Sequence, residues 1–256
     1  MLSKNLVKKV HQLSMKKYRD QTHQFVAEGP KVCRDLLGCT RLSLMVCTDS
    51  FEVEGIAPEV VVRVSEDELR KVSFLQHPQQ VLCVFDKIEP SISVDDVINN
   101  SPDHLTLLLD GVQDPGNMGT IIRIADWFGV ENIVCSHQSA DVWNPKVVQA
   151  TMGSIARVNV FYADLQKLLA ERMGKLPVYG TFLDGESLGT LPLTRGGLLV
   201  MGNEGRGISD ELRQYIDHPI LIPSYPPGHE TADSLNVAIA TAIMCHEFRR
   251  KYGRTD

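Results

Sequence analysis

The chain has 256 residues, 43% of them hydrophobic, and a formal net charge of −6, which is the composition of an ordinary globular protein with core enough for two domains of roughly 100 to 150 residues. No stretch approaches the roughly 18 uncharged apolar residues of a membrane span, and MLSKNLVKKVHQLSMKKYRD never becomes an apolar targeting segment, so the expected location is the cytoplasm. Six cysteines without a C-x-x-C pair argue against a zinc cluster and a disulfide scaffold, and read as reduced, mostly buried thiols.

Leu2, Leu6, Val7, Val10 and Leu13 recur at helical spacing with lysines between them, which predicts an opening amphipathic helix with a free basic face. The acidic total hides that face. Residues 1–41 hold nine bases (Lys4, Lys8, Lys9, Lys16, Lys17, Arg19, Lys31, Arg34 and Arg41) against three acids (Asp20, Glu28 and Asp35). Such an excess is the electrostatic footprint of phosphate-backbone contacts, and also the composition of a plain solvated helix face. FVAEG (25–29) then reads as a strand, and a helix follows from about Pro30 to Leu37, with Gly38 where a C-terminal cap falls. The strand-like runs RLSLMVC, EVVVRV and QVLCVF alternate with helical or loop text such as SEDELRKVS, so residues 1–90 form a small α/β module. Residues 91–104, rich in Pro, Ser, Asn and Asp, read as a linker to a second domain, 105–256.

From Leu105 the predicted order is strand, loop, helix (118–128), strand ENIVCS, helix from about Pro145 to Met152, strand IARVNVF, helix ADLQKLLAERMG, strands PVYGTFL and GLLVMG, a helix from about Ser209, strand PILIP and a long final helix. Strands alternating with helices predict an α/β domain with a mainly parallel sheet and helices on both faces. Three of the strands run straight into glycine and polar residues, within 105–123, 197–209 and 218–243. Ligands of open α/β sheets bind beyond the carboxyl ends of the strands, where glycine admits the backbone and helix N-termini offer free N–H groups, so the site is expected in the C-terminal half. The last helix is nearly all Ala, Ile, Val, Leu and Met from Leu235 to Cys245. It is expected to be buried all round, either in the core of one chain or in a subunit interface, most commonly of a homodimer.

DPGNMGTIIRIADWFGV, GNEGRGIS and IP followed by SLNVAIATAIMCHEFRR resemble, in order and spacing, the three motifs of the SpoU/TrmH family of RNA ribose 2′-O-methyltransferases in the SPOUT superfamily. The resemblance spans residues 105–250, and VAEGPKVCRDLL (26–37) resembles the small substrate-binding domain of many members. It implies a C-terminal SPOUT-type sheet with a trefoil knot, where topology rules by themselves predict an unknotted doubly wound sheet. It further implies a homodimer, S-adenosylmethionine as cofactor, no metal, and an RNA substrate, ribosomal ahead of transfer RNA, gripped through the basic N-terminal region.

By this resemblance Asn117 and Arg123 are the catalytic pair of the first motif, Glu204 is a catalytic-site carboxylate, and Ser234 and Asn236 have catalytic or substrate roles. Gly202, Ile222 and Leu235 would contact the cofactor, with Thr181 beside it. The chemistry suits this set: methyl transfer from a sulfonium to a hydroxyl is an in-line displacement that needs positioned reactants and help with one proton. Without the resemblance, Asn117 reads as a helix cap, Arg123 as a surface charge, Glu204 as a solvated loop acid, and Ser234 or Asp233 as the cap of the last helix. GNEGRG fits neither the dinucleotide nor the P-loop glycine pattern. The segment SYPPGHETAD (224–233) is longer than the compact loop expected in relatives. The alternative function is a non-catalytic, dimeric RNA-binding relative, which would have no need of all five polar residues.

Overall fold

In a computed structural model of the chain, residues 2–172, 175–226 and 232–250 are described. They divide into two units, Met1–Glu89 with Asp141–Ala156 and Pro90–Ala140 with Arg157–Asp256.

In the first unit, Ser3 Oγ accepts from the Leu6 amide and starts α1 (Lys4–Gln12). Then come α2 (Lys16–Thr22), β1 (Gln24–Glu28), α3 (Pro30–Leu36), β2 (Leu42–Cys47), β3 (Val61–Arg63), α4 (Glu66–Val72) and β4 (Val81–Asp86). The strands lie in the order β1-β4-β2-β3, antiparallel except for β2–β3, and Val10, Leu13, Val26, Val46, Leu69 and Leu82 share their core. Helix α2 has no apolar stripe to predict it, because the residue it buries is Arg19. That guanidinium is 2% exposed, meets Asp141 at 2.5 Å and donates to the Leu13 and Ser14 carbonyls at 2.8 Å. A buried charge survives when paired and hydrogen-bonded in this way. Segment Asp141–Ala156 was expected in the C-terminal domain. It belongs to the first unit because Asp141 neutralises Arg19 and the Trp143 ring stands 4.6 Å from that of Phe25, partners too distant in sequence for any local pattern to reveal.

The second unit contains α5 (Val94–Asn100), β5 (Leu105–Leu109), α6 (Pro115–Trp127) and β6 (Asn132–Cys135) before the inserted segment, which carries α7 (Pro145–Ala150). It resumes with β7 (Asn159–Tyr162), α8 (Leu165–Arg172), β8 (Val178–Ser187), β9 (Gly197–Met201), α9 (Asp210–Arg213), β10 (His218–Leu221) and α10 (Val237–Arg250). Helix α5 lies in the stretch expected as a linker: a capping box between Ser93 and Asp96 starts it, and it buries Val97 and Ile98. The six strands are all parallel, in the order β10-β8-β9-β5-β6-β7. Every residue of β5 and β9 is buried, as strands covered on both faces require. From β5 the chain steps to β6 on one side, whereas β9 lies on the other, so the carboxyl ends of β5 and β9 flank the topological switch point where such sheets bind ligands.

Helix α10 is not buried all round within one chain, so it is not the central core helix that was one of its two expected settings. Val237, Ala238, Thr241, Met244, Cys245 and Phe248 are buried, but Ile239 is 53% exposed, and Leu235, just before the helix, is 50% exposed. One chain therefore covers only one side of this apolar helix. Five of the six free cysteines are buried and Cys39 is exposed, in line with the expectation of mostly buried thiols; burial pushes the Cys245 thiol up to about 12. Among the described residues, no helix is long and apolar enough to cross a membrane.

Candidate active site

The switch point is assembled from three turns. Beyond β5, Asp110 Oδ2 accepts from the Ser209 amide at 2.8 Å, tying this strand end to the segment after β9. Gly111 takes φ +69°, a region closed to most side chains, and leads to Asp114, whose Oδ1 accepts from the Asn117 amide at 2.8 Å and caps α6. Pro115 at the first helical position and Asp114 at the cap start the helix three residues earlier than the predicted 118.

Because Asp114 does the capping, the Asn117 side chain is left for other work. Its Nδ2 donates to Glu204 Oε1 at 2.9 Å, and its Oδ1 accepts from Asn236 Nδ2 at 2.9 Å. Asn236 Oδ1 in turn accepts from the Ala238 and Ile239 amides at 3.0 and 3.2 Å. Asn236, rather than Ser234 or Asp233, therefore caps α10, since the helix begins only at Val237. A carboxylate can only accept, so the three side chains form a chain of donors running from the N-terminus of α10 through Asn236 and Asn117 to Glu204. Such a chain polarises in one direction, with the carboxylate at its end.

Glu204 is held by the turn after β9. Asn203, which the sequence pattern did not single out, donates from Nδ2 to the Gly111 carbonyl at 2.7 Å and accepts at Oδ1 from the Gly205 and Arg206 amides at 2.9 and 3.2 Å. An Asx side chain bonding amides two and three residues on is a turn signal that could have identified it. A Cβ on Gly202 would collide with the backbone of Gly207 and Ile208, so this glycine is required by the closeness of the turn itself.

These turns border a cavity of about 730 Å³, lined by Thr181, Gly202, Glu204, Ile222, Ser234 and Leu235 among others, within the usual range for small-molecule sites. All four residues expected near a cofactor and two of the five expected to be catalytic thus share one wall. Asn117 and Asn236 join it through Glu204. Arg123 does not: six residues beyond Asn117 it is turned by about 120° around α6, it is exposed, and it is not among the lining residues. Of loop 224–233, residues 227–231 lie outside the described residues. Among the described residues no group of three or more His, Cys, Asp or Glu is placed to hold a metal.

An all-parallel sheet with a polar relay and a cavity at its switch point has the form of an α/β ligand-binding site. Residues 104–246 match the model of the SpoU rRNA methylase family, and residues 4–83 that of the MRM3-like substrate binding domain. The chain belongs to the SpoU rRNA methylase family and is a methyltransferase. It is 29% identical to the 23S rRNA (guanosine(2553)-2′-O)-methyltransferase RlmP of Bacillus subtilis, over 95% of each chain. With the 23S rRNA (guanosine-2′-O-)-methyltransferase RlmB of Neisseria meningitidis it shares 30% identity over 72% of this chain and 74% of the relative. A solved structure of a TrmH-family protein from Porphyromonas gingivalis superposes with a TM-score of 0.85 at 43% identity, covering 98% of this chain and 99% of that one. The S-adenosylmethionine-bound rRNA methyltransferase of Sinorhizobium meliloti gives a TM-score of 0.82 at 30% identity, covering 98% and 97%.

Proposed function

We propose that the protein methylates a ribose 2′-hydroxyl of ribosomal RNA with S-adenosylmethionine as the methyl donor, and that it does so as a homodimer in the cytoplasm. The observation that carries this reading is the Asn236–Asn117–Glu204 chain ending on the wall of the cavity, because a binding module has no use for a preorganised carboxylate at a cofactor-sized pocket. The names of the relatives support the 2′-oxygen and ribosomal RNA, and the S. meliloti structure supports the cofactor.

The donor set fits S-adenosylmethionine: Ile222 and Leu235 offer apolar surface for its base, Gly202 and its turn offer main-chain atoms, and Thr181 offers a hydroxyl. When bound, it supplies an electrophilic methyl group on a sulfonium. The chain supplies position and electrostatics. Glu204, fixed by Asn117 through one oxygen, keeps the other for the ribose. Ser234 adds a hydroxyl on the same wall. Arg123 binds the phosphate next to the reacting ribose and stabilises the oxygen as it loses its proton; a guanidinium is too weak an acid to serve readily as a base.

Arg123 points away from Asn117 in one chain, so it completes the site of a second copy. The apolar surface needed for that dimer is offered by Leu235 and Ile239, with Trp127, 84% exposed, four residues after Arg123. The trefoil knot belongs to the same proposal, as does RNA binding by the first unit. Of the nine bases in residues 1–41, Arg19 is buried, while Lys16, Lys31 and Arg41 are paired with Asp20, Asp35 and Asp86. The exposed Lys4, Lys8 and Lys9 of α1 are the main phosphate contacts. Arg123→Ala is expected to abolish methyl transfer to RNA while leaving S-adenosylmethionine binding, followed by calorimetry, within a few-fold of the wild type. Loss of cofactor binding in that variant would contradict the role given to Arg123.

A further inference from the structure

The cavity wall carries a pair of opposite charges that the relay does not use. Arg213 of α9 donates from Nη2 to Asp184 Oδ2 of β8 at 2.6 Å, and its guanidinium lies 4.4 Å from the centroid of the Phe182 ring. All three residues line the cavity together with Gly202, Ile222 and Leu235. Phe182 and Asp184 are two apart on one strand and so share a face, which presents the ring and the carboxylate to the same guanidinium.

The side chains of Arg213 and Asp184 are 46% and 67% exposed, and an ion pair so well solvated contributes little to folding. The stacked ring orients the guanidinium, and one bond to Asp184 leaves most of its five N–H donors available. The pair is therefore oriented without being saturated. Asp184, held below the usual carboxylate range by the hydrogen bond from Arg213, remains an anion. An α-amino acid carries its carboxylate and its ammonium on one carbon, and the wall offers one cation directly beside one anion.

We propose that Arg213 and Asp184 form the subsite for the amino-acid end of the methyl donor, Arg213 receiving the carboxylate and Asp184 the ammonium. This rests on the reading of the cavity as the S-adenosylmethionine site. It makes the dyad a determinant of specificity for donors with an intact amino-acid tail, separate from the surface that holds the nucleoside. Arg206, the other arginine on the wall, is the rival anchor; it lacks both the stacked ring and the adjacent acid.

The test is calorimetric binding of S-adenosylhomocysteine and 5′-methylthioadenosine to the full chain. Both are neutral thioethers on the same nucleoside, and only the first has the amino-acid tail. Arg213→Met is expected to weaken S-adenosylhomocysteine by about tenfold or more and to leave 5′-methylthioadenosine unchanged, which also verifies that the pocket is folded. Arg213→Lys should recover part of the loss, and Asp184→Asn should weaken the first ligand selectively. Equal weakening of both ligands, no effect on either, or a selective loss on Arg206→Met would overturn the assignment. A wild-type protein that binds neither ligand would overturn the cofactor reading itself, and the subsite with it.

Discussion

Arg19 and Asp141 show why some residues defeat a sequence pattern. In the sequence Arg19 is one of nine bases in a cationic segment; in the fold it is 2% exposed, and its partner lies 122 residues away. Removing one member of such a pair leaves the other buried without compensation, so Asp141→Ala should lower the unfolding free energy by about 3 kcal/mol. Urea unfolding checks this, and Arg19→Met combined with Asp141→Leu should recover most of the loss. Glu28 is buried differently. It is 5% exposed, accepts from Ser73 Oγ and from the Phe74 amide, and desolvation raises its pKa above the ordinary 4.5 despite those bonds. A carboxyl whose folded pKa is raised contributes stability that is complete below the unfolded value and is lost as pH rises through the folded one. Glu28→Gln carries no such dependence, so melting temperatures should shift in the variant's favour, relative to wild type, between about pH 4 and pH 7. Parallel curves would show that Glu28 does not titrate in this range.

At the scale of elements, what a strand or helix contributes by its own periodicity was legible, and what it owes to a distant partner was not. The aliphatic runs of β5 and β9 and the glycines after them mark both strands and their ligand-binding ends. Helix α2 was invisible because its buried residue is a charge, and α5 because a short capped helix with two buried positions has the composition of a linker. The caps are not the residues expected at either helix start: Asp114, three residues before Asn117, caps α6, and Asn236, two residues after Ser234, caps α10, which frees Asn117 for Glu204. Helix α10 carries a prediction of its own. If its open side is a dimer interface, Ile239→Asp places a charge in the buried seam and should weaken association by about 100-fold or more. Sedimentation velocity should then report a folded monomer where the wild type is a dimer. A wild-type monomer would leave the stripe of Leu235 and Ile239 without a partner.

For the molecule as a whole, the sequence motifs were sufficient to identify the family, and the sheet order explains why three motifs separated by some 120 residues act as one site. Strand β9 lies beside β5, so the turns carrying Asn117 and Glu204 emerge next to each other, and α10 brings Asn236 to them. Arg123 could not be placed in this way, because motif spacing does not say which side of α6 faces the cavity, and in the fold it is exposed and not among the lining residues. Methyl transfer to a ribose hydroxyl is tested by incubating the purified protein with methyl-labelled S-adenosylmethionine and total bacterial RNA, then separating ribosomal from transfer species and digesting to nucleosides. Label in a 2′-O-methyl nucleoside from ribosomal RNA is the predicted result. Label in a base, or none in any RNA including ribosomal assembly intermediates while the cofactor binds, would contradict it.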